Sequence, residues 1–383
     1  MPNDYDGSLA QQYVSFSALF SIQSNPGANF GKAMVYVDSA TISGLWVDGS
    51  TVPQPTEDVE ITSQNYQDYV SGGLLDWLTG YFGSNAVANI YVAVWDSSLP
   101  SYSGLINAYA ATKYDAYFKT MYTAGLGVES AQNDAMVALA EIAFPDTGVF
   151  SQVGFGTTEP DNLLNESVTS LLTAINGSSG DAIVAYGDAS QSTNPWLDQL
   201  GLTLGALNGS GTAIGNALDY IATLNRGASG TDGANLTALQ VAALKAQGCG
   251  YWATLGNSTG QVALYNPTTV KGAYPGSKWV VAYIDFVASI RSIEFLTDPA
   301  TPQGKRRNNE NYQAILGILN AAAAPFTDKG GIGVLQNFTT AGAPRFSQLS
   351  GGGSTLIVPN AWAATWLQGI HSIVVQGTLY IQA

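Results

Sequence analysis

Charge is what this sequence has least of. Asp, Glu, Lys and Arg make up 11% of its 383 residues, against about 25% in an ordinary soluble domain. Soluble proteins carry their charge outside, so a chain this poor in it clothes much of its surface in small, neutral polar and aromatic side chains. Such a surface suits being covered by other subunits. Cysteine and histidine are nearly absent, with Cys249 and His371 each standing alone. One cysteine closes no intramolecular disulfide, and one of each falls short of the usual zinc ligand sets. No metal and no other cofactor is expected. Cys249, in AQGCGYW with no base close in sequence, reads as a buried, inert thiol. No apolar run approaches the roughly 18 to 20 residues that cross a bilayer, and MPNDYDGSLAQQ has neither the basic nor the apolar region of a secretion signal. Synthesis in a cytoplasm and no membrane partner are the expectations.

Bases are scarcer than acids, 13 against 28, for a net charge of −15. A nucleic-acid partner needs a basic stripe that releases counterions, and none is written here. The distribution is uneven. Eleven acids and no base lie between Lys119 and Arg226, whereas beyond Asp328 there is no acid and two bases, Lys329 and Arg345. Two readings follow: acidic faces that keep a sparsely charged protein in solution, or a polarity in which the middle faces solvent and the end faces something negative. Lys305-Arg306-Arg307 is the one basic cluster, in a loop bounded by Pro and Gly. It reads either as a solvated loop or as a docking point for an acidic partner.

At this length a chain divides into two or three domains. Helical and strand-like patterns alternate, which predicts a mixed α/β (α+β or α/β) architecture with helices packed on a sheet. Residues 13–22 alternate apolar and polar up to Asn25-Pro26-Gly27 and read as a strand, Ala33–Val37 is a short apolar run, and Thr51–Thr56 is a loop. Helices are expected over 66–82, 102–118, 130–144, from Pro160 to Gly177, over 236–246 and 278–296, and after Asn308 or Asn309. Strands are expected at 89–95, 149–155, 182–186, 251–255, 261–265, 355–358 and 370–381. Segments 205–215 and 227–234, rich in Gly, Ser and Thr, read as loops or a lid between domains. The strongest pattern is 278–296, where Trp279, Tyr283, Phe286, Ile290 and Ile293 form one stripe.

Catalytic motifs are weak. Gly256-Asn-Ser258-Thr-Gly260 matches a nucleophile elbow, but that motif needs a strand before it and a helix after it, and here strand patterns flank it on both sides. It reads as a hairpin turn. Gly209, Gly211 and Gly215 miss the dinucleotide fingerprint by one residue. Nothing singles out two carboxylates of the kind a glycosidase needs. The terminal strands are the stronger feature. An extended segment at a chain end can add to the edge of a neighbour's sheet, its main-chain hydrogen bonds giving strength and its alternating side chains fixing register. A heterologous contact of that kind propagates as a ring or helix. Pairing within the same chain is the other possibility.

Four segments, YFGSNAVANIYVAVW (81–95), AQGCGYWATL (246–255), GSKWVVAYIDFVASIRSIEFL (276–296) and AAPFTDKGGIGVLQNF (323–338), resemble the tail sheath proteins of contractile-tailed bacteriophages, in particular the short sheath-like ones. The resemblance implies a subunit that polymerises helically around a tail tube and contracts to drive the tube into the host. It also implies a layout: an N-terminal arm (1–25), an outer α/β region (26–235), a core domain facing the tube (236–375) and a C-terminal strand arm (376–383). By it, Val14, Phe16, Phe20, Leu379 and Ile381 link subunits, and Lys305, Arg306, Arg307 and Arg345 face the tube. The implied partners are copies of the same chain, the tail tube protein, and baseplate and tail terminator proteins. The implied place is the virion, assembled in the host cytoplasm, and no catalytic residue is implied. Another repeating virion protein (baseplate, capsid or tube) and a glycan-binding or carbohydrate-active protein stay open as alternatives.

Overall fold

The apolar run Ala33–Val37 is the centre of strand β1 (Asn29–Asp38), and it is buried on both sides. That double burial comes from helices on each face of a large sheet, as a computed structural model of the chain shows. The structure describes residues 29–47, 51–83, 89–111, 116–123, 131–144, 151–157, 171–186, 194–206, 238–254, 262–265, 268–298, 309–327, 335–340, 345–348, 354–357 and 362–366. After β1 come α1 (Ile42–Leu45), β2 (Asp58–Ile61), α2 (Tyr66–Tyr69), α3 (Gly72–Gly83), β3 (Ile90–Trp95), α4 (Ser101–Ala111), β4 (Ala116–Met121), α5 (Ala131–Ala143) and β5 (Gln152–Thr157). Then follow α6 (Leu171–Gly177), β6 (Ile183–Tyr186), α7 (Pro195–Ala206), α8 (Ala238–Ala246), β7 (Cys249–Thr254), β8 (Val262–Tyr265), α9 (Pro275–Thr297) and α10 (Asn309–Ala323). A turn of 3₁₀ helix (Ala324–Phe326) leads to β9 (Leu335–Thr340), β10 (Arg345–Gln348), β11 (Ser354–Ile357) and β12 (Trp362–Trp366).

Eight strands form one sheet in the order β2-β3-β1-β4-β5-β6-β7-β8. The six from β3 to β7 run parallel, and β2 and β8 close the two ends antiparallel. Strands β3, β4 and β6 are buried at every residue, as a parallel sheet covered on both faces requires. Period-2 alternation divides the side chains: Val35, Val37, Val92 and Val94 go to one face, and Met34, Tyr36, Tyr91 and Trp95 to the other. The register aligns them, with Val35 opposite Val92 and Val37 opposite Val94. On the first face lie α3, α7, α9 and α10, and on the second α4, α5, α6 and α8. The connection from β1 towards β3 thus carries α3 on one face, while those from β3 through β6 carry α4, α5 and α6 on the other. A sheet wound in two directions by right-handed crossovers needs this division. The mixed α/β expectation is met in a doubly wound, mostly parallel sheet.

Several elements depart from expectation. The helix expected over 102–118 ends at Ala111, and Ala116–Met121 is a strand instead. Lys119 and Thr120 interrupt its apolar pattern, yet both are buried. The helix expected over 66–82 breaks between Tyr69 and Gly72, where Val70 bridges Trp46 and Gly72 takes a φ of 58°, a left-handed conformation that glycine adopts without a Cβ clash. Helix α7 went unpredicted, and Pro195, placed in its first turn, opens it. Strands β7 and β8 pair antiparallel, in keeping with a hairpin around GNSTG. The boundary expected at 235/236 falls between β6 and β7, which are neighbours in one sheet. Among the described residues no helix is long and apolar enough to cross a membrane.

Candidate functional site

Of the residues expected to link subunits or face a tube, Arg345 alone falls among those described, and it opens β10 opposite Ile357 of β11. Val14, Phe16, Phe20, Lys305, Arg306, Arg307, Leu379 and Ile381 lie outside the described residues. The assembly question therefore turns on the surfaces that could receive a strand.

Two such surfaces lie in the C-terminal part, where β9 pairs with β12 and β10 with β11, both antiparallel. Among the described residues each is a two-stranded ribbon with no third strand. Two strands alone are marginal in water, and a third strand or a helix support is what makes them persist. The β9–β12 ribbon has the helix support. Leu335 is buried in the core, and Phe338, Trp362 and Ala364 pack against it. Phe338 and Trp362 stack at 5.7 Å, and Asn320 of α10 donates from Nδ2 to Thr340 Oγ1 at 3.0 Å. Between Ala363↔Thr339 and Thr365↔Gln336, β9 holds one residue more than β12. Asn337, with φ 52°, stands in that bulge, which bends the ribbon. Its other face, with Asn337, Thr339, Ala363 and Thr365, is exposed and uncharged.

A second polar constellation sits at the amino ends of the parallel strands, where α9 begins. Lys278 Nζ donates to Asp181 Oδ2 at 3.4 Å and lies over the Phe144 ring at 4.2 Å; both charged residues are buried. Asp181 Oδ1 accepts from the backbone N–H of Ala182 at 2.9 Å and of Lys271 at 3.3 Å. Gln152 Nε2 donates to the Pro275 carbonyl. Buried Lys119 donates to Ser151 Oγ at 2.9 Å and to the Ala116 carbonyl. Doubly wound sheets bind ligands at the opposite, carboxyl ends of their strands, so the geometry here describes a tether that fixes α9 under β5 and β6. The sequence pattern gave no hint of it, because bonded members lie up to 123 residues apart.

At the carboxyl ends the carboxylates hold their own loops. Asp38 accepts from the N–H of Ala40 and Thr41 and from Thr41 Oγ1 at 2.8–2.9 Å. Asp96 accepts from Ser98 N–H and Oγ, and these bonds hold its carboxyl below the usual range. Cys249 is fully buried, and burial pushes its thiol up to about 12, which makes it the inert thiol expected. Asp285, midway along α9, is 3% exposed, and burial pushes its carboxyl up to about 8. Among the described residues no group of three or more His, Cys, Asp or Glu is placed to hold a metal. Compared with known proteins, the chain matches no family model and no curated protein.

Proposed function

We propose that this chain is a structural subunit of a contractile phage tail sheath, polymerising helically around a tail tube by strand addition and contracting to drive the tube into the host. The observation that carries the reading is the pair of C-terminal ribbons, each two-stranded among the described residues, in a chain whose two ends are both written as strands. A donated strand completes such a ribbon through main-chain hydrogen bonds. The low charge of the chain and the four segments that resemble sheath proteins support the same reading. In it the partners are further copies, the tube protein, and the baseplate and terminator proteins at the tail ends. The basic residues Lys305, Arg306, Arg307 and Arg345 face the tube, the place is the virion, and the role is mechanical and not enzymatic.

Negative-stain microscopy of the concentrated protein tests this. Hollow, helically striated cylinders are expected from the full chain. Folded, soluble monomers that do not polymerise are expected after deletion of residues 1–22 or 376–383. Normal cylinders from either truncation would remove the linkage role, and a full chain that stays monomeric at every concentration would remove the sheath reading.

A further inference from the structure

We draw no further inference here: the strongest candidate, the buried polar face of α9 on which Asp285, Ser289 and Ser292 follow Lys278 at helical spacing and Ser292 Oγ has no hydrogen-bond partner among the described residues, carries nothing because nothing in the structure shows what covers it.

Discussion

Replacing Asp285 with Asn should stabilise the protein at neutral pH and flatten the dependence of its stability on pH. Asp285 is 3% exposed on α9, flanked one turn away on either side by buried Ala282 and Ala288. Burial raises its carboxyl from 3.8 to about 8. The sign follows from which state holds the proton. Between these values the unfolded chain is ionised and the folded chain is protonated, so the folded state binds more protons and stability falls as pH rises. The stabilisation is complete below the unfolded value and is lost as pH climbs through about 8. At about 1.36 kcal/mol per unit the whole window is worth on the order of 5 kcal/mol, and roughly 4 kcal/mol of that is gone at pH 7. Local relaxation and water entry reduce such a figure, so about 2–4 kcal/mol is the expected gap. Set against a typical total of about 5–15 kcal/mol, that is a large effect.

Asn has the shape of the neutral acid, so near pH 4 the two proteins should unfold at similar urea concentrations. The gap should open in favour of the variant up to pH 8. Urea unfolding followed by tryptophan fluorescence, at a protein concentration low enough to keep it monomeric, measures this across pH 4 to 9. Comparing the two proteins at each pH cancels every other titrating group. A gap that stays constant with pH, or a variant less stable than the parent at pH 8, would refute the reasoning.

Asp181→Ala should cost about 3–5 kcal/mol, because it removes a buried carboxylate to which the buried Lys278 ammonium and the Ala182 and Lys271 N–H groups donate; a loss under 1 kcal/mol in urea unfolding would show that the tether contributes little. Gly201→Ala should lower the melting temperature at a cost of about 1–3 kcal/mol, since a Cβ there would overlap the Tyr81 backbone where α7 meets α3. Cys249 should resist thiol reagents in the folded protein and react at the rate of an ordinary thiol in denaturant; fast reaction of the folded protein contradicts its burial.

What the sequence made legible depended on where partners sit. Strands β1, β3 and β6 are buried on both faces, so their apolar runs stand out. The length and stripes of α9 made it readable as well. Strand β4 was misread because Lys119 breaks the run, and what permits a buried lysine there is Ser151, 32 residues away. Helix α7 was missed although its signal was present. Asn194 accepts at Oδ1 from the N–H of Trp196 and Leu197 at 3.0 and 3.1 Å, with Pro195 in the first turn, the capping pattern by which a helix start is recognised. Strands β2, β9, β10 and β12 are four to six residues long, too short for periodicity to rise above chance, and the partners of β2, β9 and β12 are remote. The inert Cys249 was readable from composition, whereas the Lys278–Asp181 tether was not.

The packing also ties the β9–β12 ribbon to the main sheet. Trp279 of α9 meets Phe30 of β1 edge to face at 5.6 Å and donates from Nε1 to the Phe30 carbonyl at 3.2 Å. The same indole meets Phe326 at 6.2 Å, and Phe326 follows directly from α10. From α10 the contact passes to the β9–β12 ribbon through Asn320 and Thr340. Sheet, α9, α10 and ribbon thus form one chain of contacts, with the Lys278–Asp181 pair fixing its first joint. A strand added to the ribbon would pull on α10 and, through the Trp279 cluster, on the strand ends of the sheet, without passing through an exposed loop. Packed interiors shift between discrete arrangements more readily than they stretch. A load applied at the ribbon should therefore reach the sheet as a displacement of α9, and Trp279→Ala, which removes the shared contact, should weaken the coupling while leaving the ribbon itself paired.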